Sequence, residues 1–217
     1  MVVRPYTPTR PIVPEEDDGT FDLVIKIYFP HSDPYYPPGG CLGNYLDTME
    51  EGDAIDVKGP EGLIEYDGSG NFNIEGEDKH FKKIVMVAGG TGITPIYQVI
   101  HAIAKNPEDK TEMVLIFANK TVDDILLKEE FDALKKDHEG QFKLLYSIDK
   151  ELEGEGKKRS EGMHVGHVDE ELFRKEFGEA DRDTLALVCG PPAMIEKAAM
   201  PGLKKIGFDP DWNLYSF

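Results

Sequence analysis

The chain has 217 residues, of which 40% are hydrophobic, and its formal net charge at pH 7 is −18. This length and composition allow one large domain or two small ones with a real core, and they exclude global disorder. The charge disfavours nucleic acid and anionic membranes as partners, and the sequence shows neither a secretory signal pattern nor a membrane-spanning apolar run, so we expect a soluble, cytoplasmic protein.

The first 80 residues are predicted to be rich in β-structure. Apolar side chains recur at every second position over residues 21–29, and a second predicted strand covers residues 54–58. Between these strands, a Gly-Gly pair precedes a segment with helical spacing, residues 41–49. The polar, glycine-rich segment 67–80 is typical of a linker, which predicts a domain boundary near residue 80.

From residue 81 onwards, short apolar runs alternate with helical patterns. The apolar runs cover residues 84–88, 113–118, 142–148 and 185–189, with a final short strand at 214–217. The helical patterns cover residues 96–105, 123–136, 168–177 and about 190–207. Strands that alternate with helices favour a parallel sheet. We therefore predict a β-rich domain over residues 1–80 and an α/β domain over residues 81–217.

The segment from residue 84 to residue 95, IVMVAGGTGITP, is the most informative single motif. A buried strand there ends in a glycine-rich turn that starts a helix, and backbone N–H groups at a helix N-terminus attract phosphate. The turn is not a P-loop, and Pro95 stands where the G-x-G-x-x-G fingerprint has its last glycine. From the spacing alone, a nucleotide-binding loop and a tight turn without a ligand both stay open.

Short motifs follow one another in a fixed order over nearly the whole chain. They are RPYTP, VIKIYF, a Gly-Gly pair before YLD, VKGPEG, AGGTGITP, FANKT before DDILL, CGPPAMI and a terminal phenylalanine. Together they resemble the ferredoxin-reductase-type family of FAD- and NAD(P)H-binding oxidoreductases, in its cytochrome b5 reductase and nitrate reductase branch. The resemblance implies an antiparallel FAD-binding β-barrel over residues 1–80 and a doubly wound, parallel-sheet NADH-binding domain over residues 81–217. It also implies that barrel strands are missing before RPYTP, which makes the barrel incomplete.

The resemblance implies FAD-binding roles for the first motifs. Arg4 would pair with the FAD pyrophosphate, Tyr6 would pack on the isoalloxazine ring, and Thr7 would hydrogen-bond near the reactive edge of the flavin. The other matching positions are Pro5, Val24, Lys26 and Phe29. Thr7 and Lys26 are also candidate catalytic residues. Without the other motifs, Arg4 to Tyr6 is an ordinary turn and Lys26 is a snorkelling edge lysine.

A second group of flavin contacts is implied further along the chain. The family's second pyrophosphate loop corresponds to Gly40, Cys41, Leu42 and Gly43. The family commonly has Lys-Met-Ser there, whereas this chain has Cys-Leu-Gly, so a serine hydroxyl contact is lost while backbone contacts can survive. Thr94 and Phe217 correspond to two further flavin neighbours.

The implied NADH site draws on three segments of the second half. Its first part is the path of the pyrophosphate and nicotinamide, formed by Gly89, Gly90, Thr91 and Gly92. Cys189, followed by Gly190 and Pro191, corresponds to the family cysteine beside the nicotinamide, where it would position the ring, and it is a third candidate catalytic residue. A buried core cysteine and a covalent nucleophile are the alternatives.

Asp149 falls where the family places an acidic residue near the adenosine ribose. A carboxylate accepts hydrogen bonds from ribose hydroxyls and repels a 2′-phosphate, which favours NADH over NADPH. Lys150 and the basic residues 157–159 weaken this inference. His164 and His167 lack carboxylate support, so we predict no metal site.

The resemblance implies hydride transfer from NADH to FAD and then electron transfer to a haem acceptor. The acceptor would be a cytochrome b5-like domain or protein, and the function would be most like that of the reductase part of a eukaryotic nitrate reductase. Two alternatives stay open. One is an NADH-cytochrome b5 reductase, and the other is an inactive fragment that binds NADH but not FAD.

Overall fold

The first 61 residues contain little regular secondary structure in the ranges that the structure describes. The structure, a computed structural model, describes residues 2–31, 37–149 and 162–217, and these fall into two units that divide between Glu61 and Gly62. In the first unit, a 3₁₀ turn covers Pro14–Glu16 and helix α1 covers Cys41–Asp47.

The prediction of strands over residues 21–29 and 54–58 is wrong. Within residues 2–31 and 37–61, the structure has no strand, and an isolated antiparallel bridge joins Arg10 to Asp22. The apolar side chains of the predicted strands are not buried either, since Phe29 is 51% and Val57 66% exposed. An alternating pattern becomes a strand only when a second segment pairs with its backbone and covers one face.

The segment predicted as a linker instead forms a three-stranded antiparallel sheet. Its strands, in sheet order, are β1 (Ile64–Gly68), β2 (Asn71–Ile74) and β3 (Glu77–His80). Two-residue turns, Ser69-Gly70 and Glu75-Gly76, join them, and all four turn residues have positive φ, as hairpin turns of type I′ require. Phe72 and Ile74 of β2 are each only 1% exposed.

Hydrogen bonds to the Asp109 carboxylate connect this small sheet to the rest of the second unit. Its carboxylate accepts hydrogen bonds from the Tyr66 hydroxyl of β1 and from the Ser69 amide, the latter at 2.9 Å. It also accepts hydrogen bonds from the amide and hydroxyl of Thr111, at 3.0 and 2.7 Å. The sheet therefore groups with the second unit, and the domain boundary near residue 80 stays a prediction.

The apolar runs of the second half form a parallel sheet, as predicted. Its strands are β4 (Lys83–Gly89), β5 (Glu112–Asn119), β6 (Phe142–Ile148), β7 (His164–Val165), β8 (Thr184–Cys189) and β9 (Leu214–Ser216). The order within the described residues is β7-β6-β5-β4-β8-β9, and every neighbouring pair is parallel. The predicted antiparallel part followed by a doubly wound parallel part is thus confirmed.

Helices cover both faces of this sheet. They are α2 (Ile93–Lys105), α3 (Lys128–Asp137), α4 (Glu170–Phe177), α5 (Pro192–Met194) and α6 (Met200–Lys205), with a π-helical turn over Ile195–Ala199. On one face, Phe117 and Tyr97 pack their rings near Phe131 of α3. On the other, Val87 and Phe173 belong to the core that α4 and α6 cover.

The predicted helix boundaries differ from the structure mainly at their starts. The segment predicted as a helix from residue 123 begins with a 3₁₀ turn, Val122–Asp124, and Leu127, in the left-handed region, precedes α3. Asp169 caps α4 by accepting a hydrogen bond from the Leu172 amide at 2.9 Å. Lys150 and the basic residues 157–159 lie outside the described residues.

Candidate functional site

The strand order of the parallel sheet defines where a ligand binds. From β4 the chain proceeds outward through β5, β6 and β7, and then returns to place β8 on the opposite side of β4. In open α/β sheets, ligands bind outside the carboxyl ends of the strands at such a reversal. The reversal here falls between the strand ends Gly89 and Cys189.

The residues predicted for NADH binding gather at this edge. In the sheet register, Ala88 pairs with Cys189 on one side, and Gly89 pairs with Ala118 on the other. Asp149 follows β6, and its backbone amide donates a hydrogen bond at 3.0 Å to the carbonyl of Asn119, the last residue of β5. The structure therefore brings together three segments that are about 40 to 60 residues apart in sequence.

Glycines allow the loops after β4 and β8 to touch through their backbones. A Cβ atom on Gly92 would lie 2.5 Å from the carbonyl carbon and oxygen of Cys189, and a Cβ on Gly190 would lie 3.0 Å from the backbone of Gly89. By contrast, a Cβ on Gly90 would meet nothing within 4 Å. A 3₁₀ turn over Gly90–Gly92 leads into α2, and its N-cap residue, Gly89, makes no side-chain cap. The first N–H groups of a helical segment have no partner within it, so those of this turn can face an anion. The close backbone contacts at Gly92 and Gly190, together with the open space at Gly90, fit the binding of a dinucleotide pyrophosphate.

Cys189 is a partly buried thiol at the end of β8. Burial raises its pKa to about 11, so the thiol is protonated at neutral pH. A covalent nucleophile needs a thiolate, and the surroundings of this cysteine disfavour one. Of the three alternatives for Cys189, a protonated thiol supports positioning of the nicotinamide ring or packing in the core, and it disfavours a covalent nucleophile.

Asp149 offers a carboxylate at the outer part of the same edge. Its side chain is 40% exposed, and one of its oxygens lies 3.1 Å from Nδ1 of His167. A carboxylate in that position is open enough to accept hydrogen bonds from ribose hydroxyls. Within the described ranges, no cluster of three or more histidine, cysteine or acidic side chains could hold a metal ion.

Two further predicted flavin neighbours lie in the second unit. Thr94 is buried in the first turn of α2, where its hydroxyl donates a hydrogen bond at 3.4 Å to the Thr91 carbonyl. The backbone amide of Phe217 donates to the Val188 carbonyl at 3.0 Å, which sets the terminal residue beside the end of β8. The Phe217 side chain is 43% exposed.

The predicted flavin residues near the start of the chain all lie in the first unit. Arg4, Pro5 and Tyr6 are exposed and Thr7 is half-buried, and the Arg4 guanidinium donates a hydrogen bond to the Val3 carbonyl at 2.8 Å. Val24 and Lys26 are half-buried and Phe29 is exposed, and the ammonium of Lys26 lies 5.7 Å from the centre of the Tyr28 ring.

The predicted second pyrophosphate loop is held against Tyr28. The Gly40 amide donates to the Tyr28 carbonyl at 2.7 Å, and the Asn44 side-chain amide donates to the same carbonyl at 2.8 Å. Gly39 has a φ of +72°, and a Cβ there would lie 2.6 Å from that carbonyl oxygen. Sequence reasoning missed Asn44, and no capping signal marks it, because the N-cap of α1 is Gly40. In α1, Cys41 is exposed, Leu42 is half-buried and Gly43 is buried.

Two known domain families match the chain, one over its first part and one over its second part. Residues 1–66 match the oxidoreductase FAD-binding domain, and residues 86–200 match the oxidoreductase NAD-binding domain. The strand order, the glycine-rich loops and these two matches define an oxidoreductase with an FAD-binding and an NAD-binding domain.

Individual relatives show to which branch of these oxidoreductases the chain is similar. The crystal structure of the cytochrome b5 reductase domain of Ulva prolifera nitrate reductase is 38% identical with a TM-score of 0.89, and the match covers all of this chain and 77% of that one. This chain belongs to the family of such reductase domains. It is 47% identical to the Phaseolus vulgaris protein "Nitrate reductase [NADH] 2", over 96% of this chain, and 48% identical to "Nitrate reductase [NAD(P)H]" of Betula pendula, over 100% of it. The chain spans 22% and 23% of the length of these two curated relatives.

A more distant structure shows the fold alone. The CS-b5R domains of human Ncb5or are 21% identical with a TM-score of 0.68, and the match covers all of this chain and 56% of that one. None of the helices in the described part of the chain has the length and apolar character needed to cross a membrane.

Proposed function

We propose that this chain uses NADH to reduce FAD and passes the electrons to a haem acceptor, as the reductase part of a nitrate reductase. The observation that carries the proposal is the gathering of the Gly89–Gly92 loop, Cys189 and Asp149 at the carboxyl edge of the parallel sheet. When bound, FAD accepts a hydride from NADH and releases the electrons one at a time. The haem acceptor is inferred from relatives that are nitrate reductases and from a related domain that is a cytochrome b5 reductase.

The protein's own groups bind and orient the dinucleotide. The N–H groups of the Gly90–Gly92 turn that leads into α2 would hold the pyrophosphate, since the positive end of a helix dipole attracts an anion. The backbone contact between Gly92 and Cys189 fixes the spacing of the two loops, so the nicotinamide would lie in one orientation. The protonated Cys189 thiol would lie beside the nicotinamide ring and help to orient it. The Asp149 carboxylate would accept hydrogen bonds from the ribose hydroxyls.

The residues proposed to hold FAD are mainly in the first unit. Arg4 supplies a guanidinium, whose fork of N–H groups suits a pyrophosphate. Gly40, Cys41, Leu42 and Gly43 supply backbone groups held in place by the bonds from Gly40 and Asn44 to Tyr28. Tyr6, Thr7 and Lys26 would face the flavin ring system. The flavin roles of Thr94 and Phe217, which lie in the second unit, stay predictions from the resemblance.

The first experiment tests each step separately. The purified full chain is mixed with FAD, freed of excess flavin, and examined for bound flavin by its absorbance. Anaerobic stopped-flow mixing with NADH then follows the loss of flavin absorbance, and a cytochrome b5 domain is added as the haem acceptor. Bound flavin that NADH bleaches, followed by haem reduction, is the expected result.

Each failure has its own meaning. A colourless protein that still binds NAD⁺ would contradict the proposed function in favour of a chain that binds the nicotinamide dinucleotide alone. Bleaching of the flavin without haem reduction would contradict only the haem acceptor. Ferricyanide, a small acceptor that needs no docking surface, is the control for that second outcome.

A further inference from the structure

The side-chain amide of Asn119 is buried and has no hydrogen-bond partner among the described residues. The residue is only 6% exposed, and both its Nδ2 and its Oδ1 atoms are shut off from solvent without a partner. Asn213, at 3% exposure, is a contrasting case. Its Nδ2 donates to the carbonyls of Asp181 and Thr184 at 3.0 and 2.8 Å, and its Oδ1 accepts from the Asp209 amide at 2.9 Å. A buried amide without partners destabilises a fold, so a functional reason for keeping one is expected.

The position of Asn119 supplies such a reason. It is the last residue of β5, the strand between β4 and β6. The preceding residue, Ala118, pairs with Gly89 of the glycine loop, and the Asn119 carbonyl accepts the hydrogen bond from the amide of Asp149. Asn119 therefore lies between the loop proposed for the pyrophosphate and the carboxylate proposed for the ribose. A dinucleotide that contacts both of them passes over the end of β5.

We propose that Asn119 is a dinucleotide-binding residue whose amide hydrogen-bonds to the adenosine diphosphate part of NADH. This inference rests on the NADH site of the proposed function. An amide suits the position because Nδ2 can donate to a phosphate oxygen while Oδ1 accepts from a ribose hydroxyl. The amide reaches the ligand by rotation about its own side-chain bonds. The fold thus keeps a polar group that contributes to binding at the expense of stability.

The test compares binding and stability in matched variants of the flavin-loaded full chain. In Asn119→Leu, the side chain keeps its branched shape and loses both polar atoms, and Asn119→Ala serves if that variant does not fold. Isothermal titration calorimetry with NAD⁺ and with ADP-ribose measures affinity without any redox turnover. We expect both ligands to bind about tenfold more weakly, as for the loss of a hydrogen bond to a charged group. The urea midpoint without ligand should equal or exceed that of the wild type.

Asn213→Leu is the control, because its partners are all backbone groups of the fold. This variant should unfold at lower urea and bind both ligands as tightly as the wild type. The proposal is overturned if Asn119→Leu binds NAD⁺ or ADP-ribose as well as the wild type does. It is also overturned if the urea midpoint falls as it does for Asn213→Leu, because the amide is then a structural group satisfied by buried water. A wild-type protein that binds no NAD⁺ would instead refute the underlying NADH site.

Discussion

The contact between Gly92 and Cys189 gives a sharp prediction about the two loops. In Gly92→Ala, the new Cβ would lie 2.5 Å from the carbonyl carbon and oxygen of Cys189 and 2.6 Å from the Gly190 nitrogen. Carbon atoms in ordinary contact are about 3.5 to 4.0 Å apart, so the overlap is roughly 1 Å. Backbone atoms cannot rotate away as a side chain can, so the loops must separate. Such overpacking typically lowers the free energy of unfolding by about 1 to 3 kcal/mol.

The same separation should weaken dinucleotide binding. If about 1 to 2 kcal/mol of binding energy is lost with the loop geometry, the Kd for NAD⁺ rises roughly 5- to 30-fold. Urea unfolding measures the stability change, and calorimetric titration with NAD⁺ measures the affinity. Gly62→Ala is the matched control, since a Cβ there meets nothing within 4 Å and the residue does not have a positive φ. The reasoning fails if Gly92→Ala unfolds and binds NAD⁺ as the wild type does.

Three further predictions concern titratable groups. Because burial raises the pKa of Cys189 to about 11, iodoacetamide should label it slowly at pH 7 and faster as the pH rises toward that value. Peptide mapping separates it from the exposed Cys41, and rapid labelling of Cys189 itself at pH 7 would contradict its burial. Burial alone would raise the pKa of Asp109, but hydrogen bonds from Thr111 and Tyr66 together hold it below its ordinary value. Its contribution to stability is therefore present above about pH 4 and is lost as the pH falls through the folded pKa. Asp109→Asn should lower the urea midpoint at pH 7 and flatten its decline in acid, and an unchanged acid profile would remove Asp109 as a cause. Asp149→Ser should raise the ratio of NADPH to NADH turnover with ferricyanide, and a ratio that stays constant would exclude Asp149 from coenzyme selection.

The sequence predicts the parallel sheet well because each of its central strands is buried on both faces. The segments around Val85, Ile116 and Leu187 consist of nearly continuous apolar residues, and in the structure these residues are almost completely buried. Such runs need no knowledge of a partner to be recognised as strands. The glycine loop is equally local, since a strand, a turn and a helix start lie within twelve residues of sequence.

The first unit and the small antiparallel sheet could not be predicted in the same way. The pattern from Phe21 to Phe29 is typical of a strand, yet pairing depends on a second segment that a local pattern does not supply. The prediction of a linker around Phe72 was wrong for the opposite reason, because strands were present where none had been predicted. Its glycines and polar residues suggested a linker, while Ser69-Gly70 and Glu75-Gly76 are in fact tight turns between short strands. A turn signal flanked by alternating residues favours a hairpin, and that signal was available in the sequence.

Within the candidate site, the sequence motifs indicate which residues to consider, but they do not indicate which of these residues contact one another. Cys189 and Asp149 follow from motif position, whereas the approach of Gly92 to the Cys189 carbonyl is a property of two loops about 100 residues apart. Asn119 belongs to the recognised FANKT motif, but nothing in the sequence marks its amide as one without a partner. That fact emerges only when the surrounding side chains are in place.

The hairpins held by Asp109 determine how the nicotinamide-binding half can be produced as a separate protein. A fragment that starts at residue 81 would lose the donors Tyr66 and Ser69, leaving the Asp109 carboxylate with fewer bonds, and would uncover the ring of Phe81 where Phe72 packs against it. A fragment that starts at Gly62 keeps these groups together. The shorter fragment should therefore precipitate or unfold easily, while the longer one should be the minimal piece suited to crystallisation and ligand screening.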